Sequence, residues 1–325
     1  MSHPASITSR VDRFALYEPF TISRGTRTHA EVVAVEVQRE GTLGHGECLP
    51  YARYGETLES VRAQIDGLPG DISRADLQDA LPAGAARNAV DCALWDLQAK
   101  RTGRAVHALL DLPVPAPVTS AFTLSLDTPE AMRAAAARHQ DKPLLKIKLG
   151  GPDDMSRLEA VRVGAPKARL ILDANEGWTP EIYAELAPHL LDLGVEMVEQ
   201  PLPAGQDDML AEIARPLPVC ADEACHDRAS LPGLVGKYDM VNIKLDKTGG
   251  LTEAVALREA ARQMGFQVMV GCMVGSSLGI APAVLVAQGV DLVDLDAPLL
   301  LAEDRSPAIA FTATNAHPAQ RTLWG

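Results

Sequence analysis

Short apolar segments recur at nearly even intervals along the second part of the chain. They cover residues 118–123, 144–149, 170–172, 195–198, 218–221, 240–243, 267–270 and 291–293. Their spacing of about 25 residues leaves room for a helix between successive segments, so the pattern predicts eight βα units. Such units have right-handed crossovers and parallel strands, and eight of them close into a barrel. We therefore expect an α/β protein built on a (β/α)8-type barrel.

The first part of the chain has a different pattern, in which apolar and polar residues alternate as they do in half-buried strands. Residues 31–37 and 43–48 flank a short polar turn and predict a β-hairpin. Farther on, apolar residues recur at helical spacing from Ala83 to Lys100, and Gly103 suits the end of that helix. This part is therefore expected to be a small α+β unit.

A proline-rich segment separates the two patterns. Three prolines within residues 113–117 cannot continue a helix or a central strand, so this segment is expected to be a linker. The sequence thus predicts an α+β capping domain over residues 1–112 and a catalytic barrel over residues 118–304. Residues 305–325 are expected to pack back on the capping domain.

Most of the predicted barrel strands end in a charged residue. The set comprises Lys146 and Lys148 on the second strand, Asp173, Glu199, Asp222 and Lys244 on the third to sixth, and Asp294 and Asp296 on the eighth. In such barrels the chemistry takes place at the carboxyl ends of the strands. Side chains two residues apart on a strand share a face, so Lys146 and Lys148 project together. Burying two adjacent ammonium groups requires carboxylate partners or a site that uses the cations.

Three of these carboxylates come from consecutive strands. Asp173, Glu199 and Asp222 have no histidine or cysteine close to them in the sequence, and an oxygen-only set of this kind suits Mg²⁺. Each acid could instead cap the helix that follows it, which is a common role for aspartate. Three in succession opposite a lysine pair favour the metal site.

The ring order of the strands places Lys148 and Lys244 on opposite sides of the barrel mouth. A substrate carboxylate bound to a divalent ion would allow one lysine to remove the α-proton and the resulting enediolate to be stabilised. A lysine is a useful base only if its pKa lies below about 10.4, and the ammonium of Lys146 and the metal would both lower it. Proton removal from one face and return to the other would invert the α-carbon.

Composition narrows the classes of function. The formal net charge of −13 argues against binding to nucleic acid and gives no support for binding to an anionic membrane. The uncharged residues 264–290 are long enough to span a bilayer, but glycines and Pro282 interrupt them, so we expect a strand, a turn and a buried helix. Five cysteines without a CxxC pair, and no signal peptide, predict reduced thiols in the cytoplasm. The oligomeric state stays open, a homo-oligomer included.

The chain resembles the muconate cycloisomerase subgroup of the enolase superfamily, a standard example of a lysine base acting with Mg²⁺. The matching segments are residues 93–97, Lys146-Ile147-Lys148, Asp173-Ala174-Asn175, Glu199-Gln200-Pro201, Asp222-Glu223 and Val241-Asn242-Ile243-Lys244. The resemblance implies that Lys148 and Lys244 are the acid/base pair and that Lys146 is the cation at the enolate oxygen. It also implies that Asp173, Glu199 and Asp222 bind one Mg²⁺.

Within that subgroup, Asp294-Leu295-Asp296 resembles the Asp-x-Asp motif of dipeptide epimerases, whose acids hold the α-ammonium group of the substrate. Thr123 matches a substrate-contacting position of the same enzymes. The implied activity is epimerisation of a dipeptide, L-Ala-D/L-Glu, at the α-carbon of its second residue. A neutral or hydrophobic dipeptide remains an alternative, as do a cycloisomerase and an o-succinylbenzoate synthase, although two acids suit purely anionic substrates poorly.

Residues 21–29 are polar and predict a mobile loop. By the resemblance, this loop covers the active site and carries a basic residue in members that act on L-Ala-D/L-Glu. An acidic protein needs a local cation for the second carboxylate of such a substrate, and Arg24 is the expected residue. Arg27 is the alternative.

Two rival functions come from other classes. Residues 275–279, Gly-Ser-Ser-Leu-Gly, match the G-x-S-x-G pattern of serine hydrolases, and His317 follows in the required order. No HGGG-type segment precedes the pattern, and a hydrolase leaves the ring of lysines and carboxylates unexplained. A non-catalytic binding protein could retain the metal site, but the intact lysines argue against it.

Overall fold

The computed structural model describes residues 5–151 and 153–325. The chain begins with a three-stranded antiparallel sheet in the order β1-β2-β3, formed by Ser6–Ile22, Gly25–Arg39 and Thr42–Cys48. Four helices follow, α1 to α4, over Leu58–Asp66, Arg74–Ala80, Ala85–Thr102 and Val106–Leu109. The core of this part lies between the sheet and α3, because β2 directs its valines toward that helix.

Two glycines allow α3 to lie directly against β3. A Cβ atom on Gly46 would stand 2.0 Å from the carbonyl oxygen of Ala89, and one on Gly44 would stand 2.2 Å from that of Ala93. Both distances are far below van der Waals contact, so any side chain would push the helix away from the sheet. This close packing determines where the residues that follow β3 meet the barrel.

The second part of the chain is a nearly closed barrel of eight parallel strands. After the short β4 (Val118–Thr119), the barrel strands β5 to β12 are Phe122–Leu124, Leu144–Lys148, Arg169–Asp173, Val195–Glu199, Val219–Ala221, Met240–Ile243, Gln267–Gly271 and Leu292–Asp294. Helices α5 to α10 are Pro129–Arg138, Asp154–Gly164, Pro180–Asp192, Leu245–Thr248, Leu251–Gln263 and Ser277–Val286. The Ala121 N–H donates to the Val293 carbonyl at 2.8 Å and brings the first and last strands together. The predicted fold class is confirmed.

The interior of the barrel has two layers. One buried apolar residue from each strand segment fills the lower layer: Ala121, Leu144, Ile171, Met197, Cys220, Met240, Met269 and Leu292. The charged side chains lie above them, toward the strand ends. Because the apolar layer closes the floor, the polar cluster opens only toward the capping sheet.

Three details differ from the sequence prediction. Residues 21–29, expected to be a mobile loop, form the end of the β1–β2 hairpin with a tight turn at Ser23-Arg24. The predicted first strand, 118–123, is divided, because β4 leaves the barrel and pairs with β14 (Asn315–Ala316), which also pairs with β13 (Phe311–Thr312). The connections before and after β9 contain 3-10 turns, Asp208–Ala211 and Arg228–Leu234, in place of α-helices.

The uncharged residues 264–290 form β11 and the buried helix α10, as expected. Across the described ranges, 5–151 and 153–325, no helix is both long and apolar enough to cross a bilayer. Hydrophobicity in this region therefore serves the packing of the barrel, since nine of the ten residues of α10 are buried.

Two carboxylates, the buried Glu47 and the partly buried Asp246, join the capping part to the barrel. Glu47 of β3 accepts the Ser276 N–H at 2.8 Å and the Arg305 guanidinium at 2.6 Å. Asp246 of α8 accepts the Asn88 amide at 2.8 Å and the Leu49 N–H at 3.1 Å. Each carboxylate thus depends on partners in another part of the chain.

The last residues of the chain lie against α3. The indole N–H of Trp324 donates to the Cys92 carbonyl at 3.0 Å, and the Gly325 N–H donates to Asp96 at 2.8 Å. Residues 311–316, in contrast, belong to the small sheet with β4. The C-terminal segment therefore has two halves with different surroundings. The predicted domain boundaries, 1–112, 118–304 and 305–325, stay a proposal.

Candidate active site

Three carboxylates from neighbouring strands converge at the barrel mouth. Asp173 ends β7, Glu199 ends β8 and Asp222 follows β9, and one oxygen from each lies within 4.8 Å of the others. All three residues are at most 2 % exposed. The parallel strands end at one level, so they bring together residues about 25 positions apart in sequence. This arrangement fits a divalent cation, because oxygen ligands at this separation can share one ion.

One oxygen of each carboxylate is held by the protein. Asp173 Oδ1 accepts the Asn175 N–H at 2.9 Å, Glu199 Oε1 accepts the Asn242 amide at 2.8 Å, and Asp222 Oδ1 accepts the ammonium of Lys247 at 2.6 Å. Such outer contacts fix the orientation of metal-ligating carboxylates. The sequence analysis missed the role of Lys247, although its position three residues after Lys244 on a short helix could have indicated it.

The second oxygen of each carboxylate lies beside a lysine ammonium, and Asp173 Oδ2 has Lys146 Nζ as an additional neighbour at 3.2 Å. Lys148 Nζ lies 2.6 Å from Asp173 Oδ2, and Lys244 Nζ lies 2.6 Å from Asp222 Oδ2. Lys146 Nζ lies 2.7 Å from Glu199 Oε2, outside the angles of a hydrogen bond. Three cations therefore compensate the three oxygens that a metal ion would otherwise use.

Burial lowers the pKa of Lys146 and of Lys244, but nearby carboxylates outweigh it. Asp294 and Glu199 raise the pKa of Lys146 well above its usual range, and Asp222 does so most strongly for Lys244. The ammonium of Lys146 does lower the pKa of Lys244, as expected of a neighbouring cation, but the carboxylates outweigh this effect and the net direction is upward. A cation bound to the carboxylates would oppose this upward shift.

The two acids of the Asp-x-Asp segment have different partners. Asp294 Oδ2 lies 2.7 Å from Lys146 Nζ, and Asp296 Oδ2 accepts the Thr123 N–H at 2.6 Å. The Thr123 hydroxyl is 3.4 Å from Asp294 Oδ1. Burial, together with the charge of Asp294, raises the pKa of Asp296 to about 7. The structure thus brings these three predicted substrate-binding residues to one wall of the site.

Arg24, at the tip of the β1–β2 hairpin, reaches the same site. Its guanidinium donates to Glu223 Oε1 at 2.7 Å, to the Tyr51 hydroxyl at 3.0 Å and to the Asn175 carbonyl at 2.8 Å. The Arg27 guanidinium lies 5.4 Å from the centre of the Tyr51 ring. The hairpin therefore supplies two cations to the rim, of which Arg24 has close carboxylate partners.

A cavity of about 190 Å³ opens between the hairpin and the strand ends. Its lining includes Lys146, Lys148, Lys244, Thr123, Asp222, Asp294, Asp296 and Arg24. Tyr51, Tyr54 and Glu223 also line it and were not among the site residues predicted from the sequence. The tyrosines lie beyond β3 with no periodic signal, but Glu223, next to Asp222, could have been found from its position.

The serine of the G-x-S-x-G pattern is placed for structure. Ser277 is fully buried, its hydroxyl donates to Asp304, and it accepts the Ile309 N–H at 2.9 Å. The His317 ring instead lies 2.9 Å from the Thr312 hydroxyl. Gly275 and Gly279 leave room for Glu47, since a Cβ atom on either would come within 3.1 Å of its carboxylate. The G-x-S-x-G pattern is thus explained by packing between the capping part and the barrel. Ser277 is not accessible as a nucleophile, which argues against the hydrolase alternative.

Comparison with known proteins places this geometry in a family. Residues 5–111 match the family model "Mandelate racemase / muconate lactonizing enzyme, N-terminal domain", and residues 130–304 match "Enolase C-terminal domain-like". The chain is 47% identical to the L-Ala-D/L-Glu epimerase of Escherichia coli K12, over 94% of this chain and 97% of that protein. It is 45% identical to an N-acetyl-D-glutamate racemase from Pseudoalteromonas sp., over 90% of this chain and 95% of that protein.

A solved structure shares the whole architecture. An enolase family member from Agrobacterium tumefaciens, with homology to dipeptide epimerases and solved with sodium and L-Ala-L-Glu, is 49% identical and has a TM-score of 0.96. The similarity covers 99% of this chain and 100% of that one. The chain therefore belongs to the mandelate racemase/muconate lactonizing enzyme group of the enolase superfamily.

Proposed function

We propose that the protein is a Mg²⁺-dependent dipeptide epimerase that inverts the α-carbon of the second residue of L-Ala-D/L-Glu. The observation that carries the proposal is the position of Lys148 and Lys244, at the ends of strands β6 and β10 on opposite sides of one cavity. Between them lie the three carboxylates that suit a divalent ion. The name of the Escherichia coli relative and the dipeptide in the Agrobacterium structure agree with this choice of substrate.

The protein groups have distinct tasks. Mg²⁺ bound by Asp173, Glu199 and Asp222 would hold the substrate carboxylate and stabilise the negative charge that develops on it. Lys148 and Lys244 exchange the α-proton from opposite faces, one as base and the other as acid. Lys146 adds a fixed positive charge beside the developing anion, and its burial at 1 % exposure strengthens that interaction.

Substrate selection rests on the rim of the cavity. Asp294 and Asp296 are assigned to the α-ammonium group of the dipeptide, with Thr123 holding Asp296 in place through its N–H. Arg24 is assigned to the side-chain carboxylate of the second residue. Paired acids and a cation that line one cavity match a substrate that carries both charges.

One observation favours a second candidate, racemisation of an N-acylated glutamate. Asp294 already has the ammonium of Lys146 as a partner at 2.7 Å, and Asp296 has the Thr123 N–H, so neither requires a substrate cation. An N-acyl group would place a neutral amide against these acids. The 45% identity to an N-acetyl-D-glutamate racemase agrees with this alternative.

The two candidates differ in a direct measurement. Pure L-Ala-L-Glu, L-Ala-D-Glu and both enantiomers of N-acetylglutamate are incubated separately with enzyme and Mg²⁺ in D₂O, and loss of the α-proton signal is followed by NMR. We expect the dipeptides to exchange with a kcat/KM at least about tenfold above that of the N-acyl compounds, since only they carry the ammonium. The reverse order would support the racemase, and exchange of neither class would refute both.

The compartment and assembly follow from weaker signals. All five cysteines are unpaired thiols, as expected in a reducing compartment, which supports a cytoplasmic location. A homo-oligomer stays a prediction, and light scattering at two protein concentrations tests it. The substrate is a small dipeptide, and neither a nucleic acid nor a membrane surface is proposed as a partner.

A further inference from the structure

The carboxylate of Glu176 connects two segments of the capping part, the β1–β2 hairpin and the 52–54 turn, to the barrel. Glu176 lies in the loop between β7 and α7, three residues after Asp173. It accepts the Arg53 guanidinium through both oxygens, at 2.8 and 2.7 Å, and the Arg24 guanidinium at 3.2 Å. The Ala204 N–H donates to the same carboxylate at 2.8 Å. One side chain from the barrel thus receives four hydrogen bonds. Three of them come from two arginines, one at the tip of the β1–β2 hairpin and one in the turn after β3.

The two arginines belong to separate pieces of the cavity wall. Arg24 is at the tip of the β1–β2 hairpin, whereas Arg53 lies in the 3-10 turn Ala52–Tyr54 after β3. Tyr51 and Tyr54 flank Arg53 and line the cavity, but Arg53 and Glu176 do not. Glu176 therefore lies behind the cavity wall, where it contacts the segments that form the wall and does not reach the substrate.

The backbone beneath Glu176 has an unusual conformation. Asn175 has φ 44° and Glu176 has φ 65°, both in the left-handed region that non-glycine residues rarely adopt. The Glu176 N–H donates to the Gln200 carbonyl at 2.9 Å, which holds the turn. Such strain persists where the surroundings require a particular direction of the chain, and it concentrates at functional sites. Here the turn directs the Glu176 side chain toward the capping loops.

The neighbouring contacts show that the hairpin is docked through the same loop. The Ser23 hydroxyl donates to the Asn175 carbonyl at 2.9 Å, and Arg24 donates to that carbonyl as well. Burial raises the pKa of Glu176, but hydrogen bonds and charge from Arg53 outweigh it and lower the pKa below its usual value. The arginines therefore favour the ionised form of the carboxylate.

We propose that Glu176 is a positioning residue that holds the β1–β2 hairpin and the 52–54 turn closed over the substrate. This inference rests on the proposed epimerase activity for its kinetic consequences, although the docking itself does not. Because Glu176 contacts no substrate, its loss should weaken the capture of every dipeptide to the same extent. Arg53 should act with it as one unit, since both oxygens of the carboxylate bind that guanidinium.

The test compares Glu176→Gln, Arg53→Met and the double variant with Glu196→Gln. Glu196 forms a similar two-point pair with Arg169, at 2.7 and 2.6 Å, on an exposed surface outside the cavity lining. We expect Glu176→Gln and Arg53→Met each to raise KM about tenfold for both L-Ala-Glu and L-Ala-Gln, with kcat changed less. The double variant should match the singles, because the two residues form one interaction. Glu196→Gln should leave the kinetics unchanged.

Hydrogen exchange of the free protein provides a readout that does not depend on the substrate. Glu176→Gln and Arg53→Met should both increase the exchange of amides in residues 23–29 and 51–55, while thermal unfolding stays close to that of the parent protein. Unchanged exchange together with an unchanged KM would overturn the proposal, as would a loss confined to L-Ala-Glu. If the parent protein exchanges no dipeptide α-proton, the proposed function fails, and the amide exchange still decides the role of Glu176.

Discussion

Lys148 and Lys244 bind different carboxylates of the same trio, each at 2.6 Å, from opposite sides of the barrel mouth. A metal ion bound to Asp173 and Asp222 would compete for the oxygens that these lysines now contact. Metal binding and the release of two potential bases are thus linked by geometry. We therefore expect metal binding to change the contacts of both lysines, which the proposed mechanism uses as its acid/base pair.

The first prediction concerns that pair. Lys148→Ala and Lys244→Ala should each lower epimerisation by about 100- to 10,000-fold, the usual contribution of a general acid or base. Each variant should still exchange the α-proton of one epimer with D₂O through its remaining lysine, and Lys148 should serve the L epimer. NMR of each pure epimer with each variant measures this pattern. Exchange of both epimers at similar rates by one variant would contradict the two-base mechanism.

A second prediction concerns the metal ligands. Asp173→Asn, Glu199→Gln and Asp222→Asn should each weaken Mg²⁺ binding by at least about tenfold, because each removes one anionic ligand from a set of three. Calorimetric titration with Mg²⁺ measures the affinity without any need for turnover. Glu196→Gln, which changes an exposed carboxylate at the start of β8, is the matched control. Full activity of the parent enzyme in excess chelator would show that the trio has another role.

The acidic pair near β12 gives a third prediction. Asp296→Asn should lower kcat/KM for L-Ala-Glu by about 10- to 100-fold, as expected for loss of a charged contact with the substrate ammonium. Turnover of N-acetylglutamate should change much less, since that compound carries no ammonium. Asp294→Asn is less selective, because Asp294 also contacts Lys146. Steady-state kinetics with L-Ala-Glu and N-acetylglutamate measure this difference. Equal losses of kcat/KM for both substrates would mean that the two acids have a structural role.

Arg24 provides a fourth prediction, which separates it from Glu176. Arg24→Met should reduce kcat/KM for L-Ala-Glu by at least about tenfold more than for L-Ala-Gln, because only the former carries the second carboxylate. Arg27→Met is the paired control, since Arg27 lines the same cavity from strand β2 of the hairpin. If Arg27→Met changes the ratio of kcat/KM between L-Ala-Glu and L-Ala-Gln and Arg24→Met does not, then Arg27 is the cation that binds the side-chain carboxylate.

A fifth prediction concerns stability and pH. Burial raises the pKa of Asp246 to about 7, so the folded protein binds a proton here that the unfolded chain has already lost. Asp246 therefore destabilises the fold increasingly as the pH rises from the ordinary pKa of aspartate toward about 7. Asp246→Asn removes this effect and retains an oxygen for Asn88 and Leu49.

Denaturant unfolding at several pH values tests this sign. Relative to the parent, Asp246→Asn should gain about 2 kcal/mol in free energy of unfolding between about pH 5 and pH 8. Chelator is included throughout, so that metal binding does not contribute. A difference that stays constant with pH would mean that Asp246 titrates equally in the folded and unfolded protein.

The barrel and the central residues could be predicted because both depend on repetition. Parallel strands of similar length bring their final residues to one level, so Asp173, Glu199 and Asp222 meet although they are far apart in sequence. The same rule placed Lys148 opposite Lys244. No tertiary contact had to be known in advance, since the regular spacing of the apolar segments predicts the strands and their order around the barrel.

Contacts between loops could not be obtained in this way. Glu176 and Arg53 are separated by more than a hundred residues and belong to segments without periodicity, so no local pattern relates them. The hairpin at residues 21–29 was missed for a similar reason, because most of its residues are exposed and lack the apolar alternation that indicates strands. The pKa direction of Lys244 depended on carboxylate distances that only coordinates provide.

The buried Glu47 has a consequence for recombination among related enzymes. Its carboxylate belongs to the first sheet, but its partners Ser276 and Arg305 lie more than two hundred residues later. A chimera that takes its first domain from a relative without an acid at this position would leave the partly buried guanidinium of Arg305 without this counter-charge. Such a chimera should express poorly unless all three positions are inherited together. The three residues thus behave as one heritable unit, despite their separation along the gene.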